Sequence, residues 1–149
     1  MNNIVVIGSG VMGKGIAYVS ALGGFMTTLI DINESQLNKA EQEIQSIFEK
    51  GVTIGKLSPE LAAEARERIE FSVSLSKHVL EADLVIEAVP EVMDIKKNIF
   101  EVMDQHAKES CLFATNTSTI SPTEIGSYTK RPDRVLAMHF LILFIKCRL

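Results

Sequence analysis

Short apolar runs alternate with stretches of helical period along almost the whole chain. Residues 4–7 are all apolar and end in a glycine cluster, the pattern of a strand buried on both faces of a parallel sheet. Helical character over 14–22 is closed by Gly23-Gly24, and residues 27–30 form a second apolar strand ending at Asp31. Asn33 is a good N-cap for an amphipathic helix over 33–50, with Leu37, Ala40, Ile44, Ile47 and Phe48 on one face and a stop at Gly51. Ser58-Pro59 opens another helix, with serine as cap and proline at the first helical position. Strands follow at 69–73 and 83–88. A helix over 94–106 is expected to bury Ile95, Ile99, Val102 and Met103. The fifth strand is 112–114, Ser121-Pro122-Thr123-Glu124 reads as a capping box, and the sixth strand is 135–139. Strands alternating with helices predict an α/β fold with a doubly wound, mostly parallel sheet and helices on both faces. Ligands bind such sheets at the carboxyl ends of the strands.

Composition narrows the field without naming a function. At 149 residues, 46% hydrophobic and 23% charged, the chain has the material for one soluble domain with a real core. The net charge of −4 gives no reason to expect nucleic-acid binding and fits poorly with an anionic membrane surface. No apolar run nears the ~20 residues of a membrane span; the longest, 140–145, is six. Cys111 and Cys147 match no metal-ligand spacing, and Cys111 reads as a small core residue entering a strand. An N-terminus that enters a strand directly, with no basic region or cleavage site, sets the expected location as the cytoplasm.

The chemistry begins at Gly8-Ser9-Gly10-Val11-Met12-Gly13. Gly8 permits a tight turn, Gly10 lets backbone approach a pyrophosphate, and Gly13 lets helix pack on strand. The helix N-terminus then turns free N–H groups and a positive dipole end toward the phosphates. A glycine turn alone is weak evidence, but this one lies between a strand and a helix. A second strand also ends in an acid about eighteen residues past Gly13. Asp31 would accept hydrogen bonds from ribose hydroxyls and repel a 2′-phosphate, so a Rossmann-type site for NAD rather than NADP is expected. The plainer alternative is that Asp31 caps the following helix.

Three further groups fall on the same sheet edge: Glu87-Ala88-Val89-Pro90-Glu91 with Lys96 and Lys97 beyond it, Thr115-Asn116-Thr117-Ser118, and His139-Phe140. A histidine near neutral pKa, placed where nicotinamide would lie, can take a hydroxyl proton while hydride leaves carbon. Together with Gly8 to Ala17, these motifs resemble 3-hydroxyacyl-CoA dehydrogenases, including 3-hydroxybutyryl-CoA dehydrogenases, over residues 1–140. The resemblance implies that Gly8, Ser9, Gly10, Val11, Met12, Gly13 and Asp31 hold NAD, with Glu91, Lys96, Asn116 and Ser118 also at the cofactor. It implies that Ser118 hydrogen-bonds the substrate oxygen, and that His139 is the base in oxidation and the acid in reduction. The reaction would convert (3S)-3-hydroxyacyl-CoA to 3-oxoacyl-CoA, as in fatty-acid β-oxidation or butanoate metabolism, with an acyl-CoA thioester as substrate. Plainer readings stay open. Ser118 braces its loop, His139 merely ends a strand, Glu91 caps a helix, and Lys96 is solvated. His78 and His106 read as surface residues; Lys50 and Lys56 either meet CoA phosphates or are solvated.

After Phe140 the sequence leaves the family pattern. Ile142 stands where the family's asparagine is expected, and the glutamate that orients the histidine would fall beyond Leu149. The expected organisation is therefore an NAD-binding domain over 1–140 and an aberrant apolar tail over 141–149, without the family's C-terminal helical domain and its dimer contacts. Deleting one base from codons for a family-like His-Phe-Phe-Asn-Pro run produces this tail, so a truncated dehydrogenase of little or no turnover is expected. Two other readings remain: a non-catalytic NAD-binding fragment, and a β-hydroxyacid dehydrogenase acting on a free acid, where many relatives use lysine as base.

Overall fold

In the computed structural model, which describes residues 1–117 and 119–140, six strands form one sheet. In chain order the elements are β1 (Asn3–Ile7), α1 (Val11–Leu22), β2 (Met26–Ile30), α2 (Glu34–Thr53), α3 (Pro59–Glu67) and β3 (Ile69–Ser72). They continue with α4 (Leu75–Val79), β4 (Leu84–Glu87), α5 (Met93–His106), β5 (Leu112–Thr115), α6 (Pro122–Gly126) and β6 (Val135–Ala137). The sheet order is β3-β2-β1-β4-β5-β6, and every pairing is parallel. Ser118 and the expected tail over 141–149 lie outside the described residues.

Strand period divides the core in two. Ile4, Val6, Leu29, Leu84, Ile86 and Ala114 point to one face, packed by α1, α2 and α3. Val5, Ile7, Ile30, Val85 and Phe113 point to the other, where Phe100 and Met103 of α5 and Ile125 of α6 meet them. Burial on both faces is why the strands read as unbroken apolar runs rather than alternating ones. Cys111 enters β5 fully buried, and burial pushes its thiol up to about 11, as befits an inert core residue.

Several boundaries differ from expectation. The helix α1 starts at Val11, with Gly10 as its N-cap, so half of the glycine motif is helical. Instead of stopping at Gly51, α2 continues to Thr53. A Cβ on Gly51 would lie 2.7 Å from the Leu57 side chain, and the Lys56 and Leu57 N–H groups donate to the Gly51 carbonyl. That glycine gives packing room; the turn comes at Gly55, where φ is +69°. The short α4 was not anticipated. The Ser121 hydroxyl makes no cap bond on the five-residue α6, so the capping box does not form. The sixth strand ends at Ala137 rather than 139, although the Met138 N–H still donates to Thr115 O at 3.1 Å.

On α5 Met103 is buried and Ile99 packs against the core as expected, but Ile95 gives up the inner position to Lys96. Lys96, Phe100 and Met103 are buried, while Ile95 is 41% exposed. A charged residue takes the inner position because a carboxylate waits beneath it.

Candidate cofactor and catalytic site

The sheet order reverses between β1 and β4, and the crevice at their carboxyl ends is where doubly wound sheets bind nucleotides. Three observations test whether the glycine turn fits a dinucleotide. Gly8 has φ +100°, its N–H donates to Ile30 O at 2.7 Å, and a Cβ there would lie 2.7 Å from Ala88 O. A Cβ on Gly13 would lie 1.7 Å from Gly8 O, so helix and turn touch through bare backbone. At Gly10, by contrast, a Cβ would meet nothing within 4 Å. Gly8 and Gly13 are glycine because protein fills the space, whereas Gly10 borders open space at the first turn of α1.

That first turn has no side-chain cap and no acidic residue, and Val11 beside it is exposed. Free N–H groups at the positive end of a twelve-residue helix favour a diphosphate. The residues fit the group.

Asp31 closes the adenosine side. Its Oδ2 accepts the Ser9 N–H at 2.9 Å and the Ser9 hydroxyl at 2.7 Å, and its Oδ1 accepts the Asn33 N–H at 3.0 Å. Partial burial would raise the carboxyl pKa, but the bonds from Ser9, Asn33 and Ile32 together outweigh it and hold the group below its ordinary value. The helix cap is Asn33, whose side chain accepts from Ser35 and Gln36. Asp31 is tied to the glycine turn instead.

Across the switch point, Lys96 is buried rather than solvated. Its ammonium lies 2.8 Å from Oε1 and 2.7 Å from Oε2 of Glu87, which is itself fully buried at the end of β4. Thr115 donates to the same carboxylate at 2.6 Å, and the Val89 N–H donates at 2.8 Å. Glu91 does not cap α5: it accepts the Thr117 hydroxyl at 2.7 Å and lies 3.4 Å from the Lys96 ammonium. The sequence motif places Glu87 at this edge, but sequence reasoning gave it no role or partner. The signal was available, since a carboxylate inside an apolar strand needs a partner and a lysine follows nine residues later.

His139 is exposed at the same edge, just past β6. The backbone on each side of it is pinned: Met138 N–H to Thr115 O at 3.1 Å and Phe140 N–H to Asn116 Oδ1 at 2.9 Å. Asn116 thus anchors the histidine strand with its side-chain oxygen. Among the described residues the imidazole has no ion-pair or hydrogen-bond partner. Ser118, the expected contact of substrate and cofactor, lies outside them.

Of the other two histidines, His106 is at the surface as expected and His78 is not. His78 is only 10% exposed and lies 3.7 Å from Glu70, whereas His106 is exposed and bonds Val102 O within its helix. Lys50 and Lys56 are exposed. A cavity of about 370 Å³ lies between α2, α3 and β3, lined in part by Glu41, Gln45, Arg66 and Phe71, away from this edge.

Residues 3–142 match the family described as 3-hydroxyacyl-CoA dehydrogenase, NAD binding domain. The chain belongs to that family. The 3-hydroxybutyryl-CoA dehydrogenase of Clostridioides difficile is 39% identical over 137 residues, covering 92% of this chain and 48% of that one. A crystal structure of the 3-hydroxybutyryl-CoA dehydrogenase of Escherichia coli K12 superposes with a TM-score of 0.91 at 37% identity, over 95% of this chain and 30% of that one. The glyoxysomal fatty acid β-oxidation multifunctional protein of Brassica napus is 34% identical over 146 residues, 94% of this chain and 19% of that one. The chain therefore spans about half or less of the length of the relatives it matches. The family assigns NAD to this Rossmann domain, in agreement with the glycine turn and Asp31. Among the described residues no helix is long and apolar enough to cross a membrane.

Proposed function

We propose that this chain is the NAD-binding part of an enzyme that interconverts (3S)-3-hydroxyacyl-CoA and 3-oxoacyl-CoA. The observation that carries the proposal is His139, exposed at the carboxyl edge and fixed through its neighbours to the end of β5. When bound, NAD would supply the acceptor for the hydride removed from carbon 3 of the substrate. In the same step an imidazole nitrogen of His139 takes the hydroxyl proton, and in the reverse direction it returns that proton to the forming alkoxide. The free N–H groups of α1 orient the diphosphate and Asp31 binds the adenosine ribose. Asn116 keeps the histidine strand in register with β5, and Ser118 is assigned the substrate oxygen. Asp31, by excluding a 2′-phosphate, makes the preference NAD over NADP.

Residues 1–140 are proposed as the complete cofactor-binding unit. Closure of the cleft and homodimer contacts are assigned to the C-terminal helical part of full-length relatives. A cytoplasmic setting belongs to the same proposal, although the Brassica relative is glyoxysomal; cell fractionation tests it.

A second reading, an NAD-binding fragment that does not catalyse, is favoured by the absence of any carboxylate paired with His139 among the described residues. Removing the carboxylate that orients a catalytic histidine in a serine protease costs on the order of 10⁴ in turnover. The two readings separate in one experiment. NADH is titrated by fluorescence against the purified 149-residue chain, then acetoacetyl-CoA is added and NADH loss is followed. Binding with turnover far below the ~1–10³ s⁻¹ typical of enzymes is expected. Failure to bind NADH overturns the cofactor assignment, turnover of free acetoacetate in place of the thioester overturns the substrate class, and binding with no turnover at all leaves the fragment reading.

A further inference from the structure

Glu87, Lys96 and Glu91 bring two carboxylates and one ammonium to the carboxyl end of β4. The ammonium is committed to the inner carboxylate: both short contacts, at 2.7 and 2.8 Å, go to Glu87, and both side chains are sealed from solvent. Thr115 and the Val89 N–H fill the remaining capacity of Glu87, which fixes the pair in place. Glu91 receives only the 3.4 Å approach, and its side chain is 43% exposed. Its other oxygen is held by Thr117, so its position is fixed, and two carboxylates sharing one ammonium leave the group with a net negative charge.

The location of that charge follows from the rest of the edge. Asp31 places the adenosine at the end of β2 and the glycine turn places the diphosphate at β1. An extended dinucleotide then continues over the loop after β4, which the turn already touches through Gly8 and Ala88. The nicotinamide half of a bound dinucleotide would then be nearest the segment that carries Glu91. Its ring is cationic when oxidised and neutral when reduced.

We propose that Glu91 makes the cleft bind the oxidised cofactor in preference to the reduced one, and that Glu87 is a positioning residue that holds Lys96 away from Glu91. The proposal rests on the NAD reading above. A purely structural strut would change the affinities for the two redox forms together; a charge at the ring end changes only their ratio.

The test measures the dissociation constants of NAD⁺ and NADH by calorimetry for the full chain and for two variants. Glu91→Gln keeps the shape and still accepts from Thr117. It is expected to weaken NAD⁺ binding about tenfold and NADH binding less than twofold, because only the oxidised ring carries a charge for the carboxylate to attract. Glu87→Gln frees Lys96 to pair with Glu91 and is expected to lower the ratio similarly, though Glu91 itself is untouched. The double variant leaves the Lys96 ammonium without either carboxylate and is expected to lower the ratio further than either single one. Should Glu87→Gln not fold, Glu91→Gln decides alone. If it shifts both constants by one factor, or neither, the inference is overturned while the NAD reading stands. If the unmodified chain binds neither form, the NAD reading falls and takes the inference with it.

Discussion

The two halves of the sheet's carboxyl edge are built from different materials. Over β1 and β2 the surface is mostly backbone: a glycine turn, the open first turn of α1, and a single carboxylate held by Ser9. Over β4 to β6 it is side chain: Glu87, Lys96, Glu91, Thr117, Asn116 and His139. The first half works by keeping Cβ atoms out. The second works only while charges and hydroxyls satisfy one another inside the fold, so the two halves should break in different ways.

The largest effect is expected on the backbone half. In Gly13→Ala the new methyl would lie 1.7 Å from Gly8 O, backbone against backbone, with no flexible side chain to yield. The cost should exceed the ~1–3 kcal/mol of ordinary overpacking and leave little folded protein, as read by circular dichroism and urea unfolding. Gly10→Ala separates stability from binding, because its methyl meets open space. Its unfolding midpoint should stay within error while NADH affinity falls at least tenfold. A Gly10→Ala chain that binds normally would remove the diphosphate from the turn.

On the side-chain half, Lys96→Met leaves Glu87 buried without its cation. A loss of about 3–5 kcal/mol in urea unfolding is expected, the usual cost of breaking a buried pair from one side. Replacing both partners together, as Glu87→Leu with Lys96→Met, should recover much of that loss, because a buried pair and its apolar counterpart have similar stability. Recovery of folding without recovery of cofactor discrimination would show that the pair is kept for the cleft.

This contrast also explains what the sequence made legible. The six strands, their mostly parallel arrangement and the glycine turn follow from apolar runs and from residues whose backbone roles are local. Lys96 did not, because the burial of this helix residue depends on a partner at the end of β4. With Glu87 ignored, the apolar Ile95 was the better guess for the inner face of α5. Gly51 misled for the same reason: its role is set by Leu57 folding back over it, which no local pattern records. The clamp between Ser9 and Asp31 spans 22 positions and was equally invisible, although the acid itself was found.

Asp31 gives a smaller, pH-dependent effect. Its carboxyl is held below the ordinary value near 3.9, so its contribution is complete above that pH and lost as pH falls through the lowered folded value. Thermal midpoints should fall below about pH 4, and Asp31→Asn should show a shallower fall. Asp83 is also lowered, by bonds from the Asn2 and Asn3 N–H groups and Lys108, and remains as background in both chains. At neutral pH, Asp31→Asn should weaken NADH binding about tenfold and narrow the gap to the 2′-phosphorylated cofactor, about the effect of losing a charged hydrogen-bond acceptor. An unchanged preference would detach the ribose from this residue.

The smallest effect is expected from Ser9→Ala, and it bears most directly on the contrast. The hydroxyl donates one of the two bonds to Asp31 Oδ2; the other comes from the Ser9 N–H and survives the substitution. The carboxylate should keep its place and lose only part of what lowers its pKa, so the acid-side decline should move to slightly higher pH. Water can replace the lost donor at a partly exposed carboxylate, so NADH affinity should fall only two- to threefold, well short of Asp31→Asn. Calorimetry on the two variants side by side provides the comparison. If Ser9→Ala were as damaging as Asp31→Asn, the turn would hold its acid by a side chain rather than by backbone, and the two halves of the edge would share one construction.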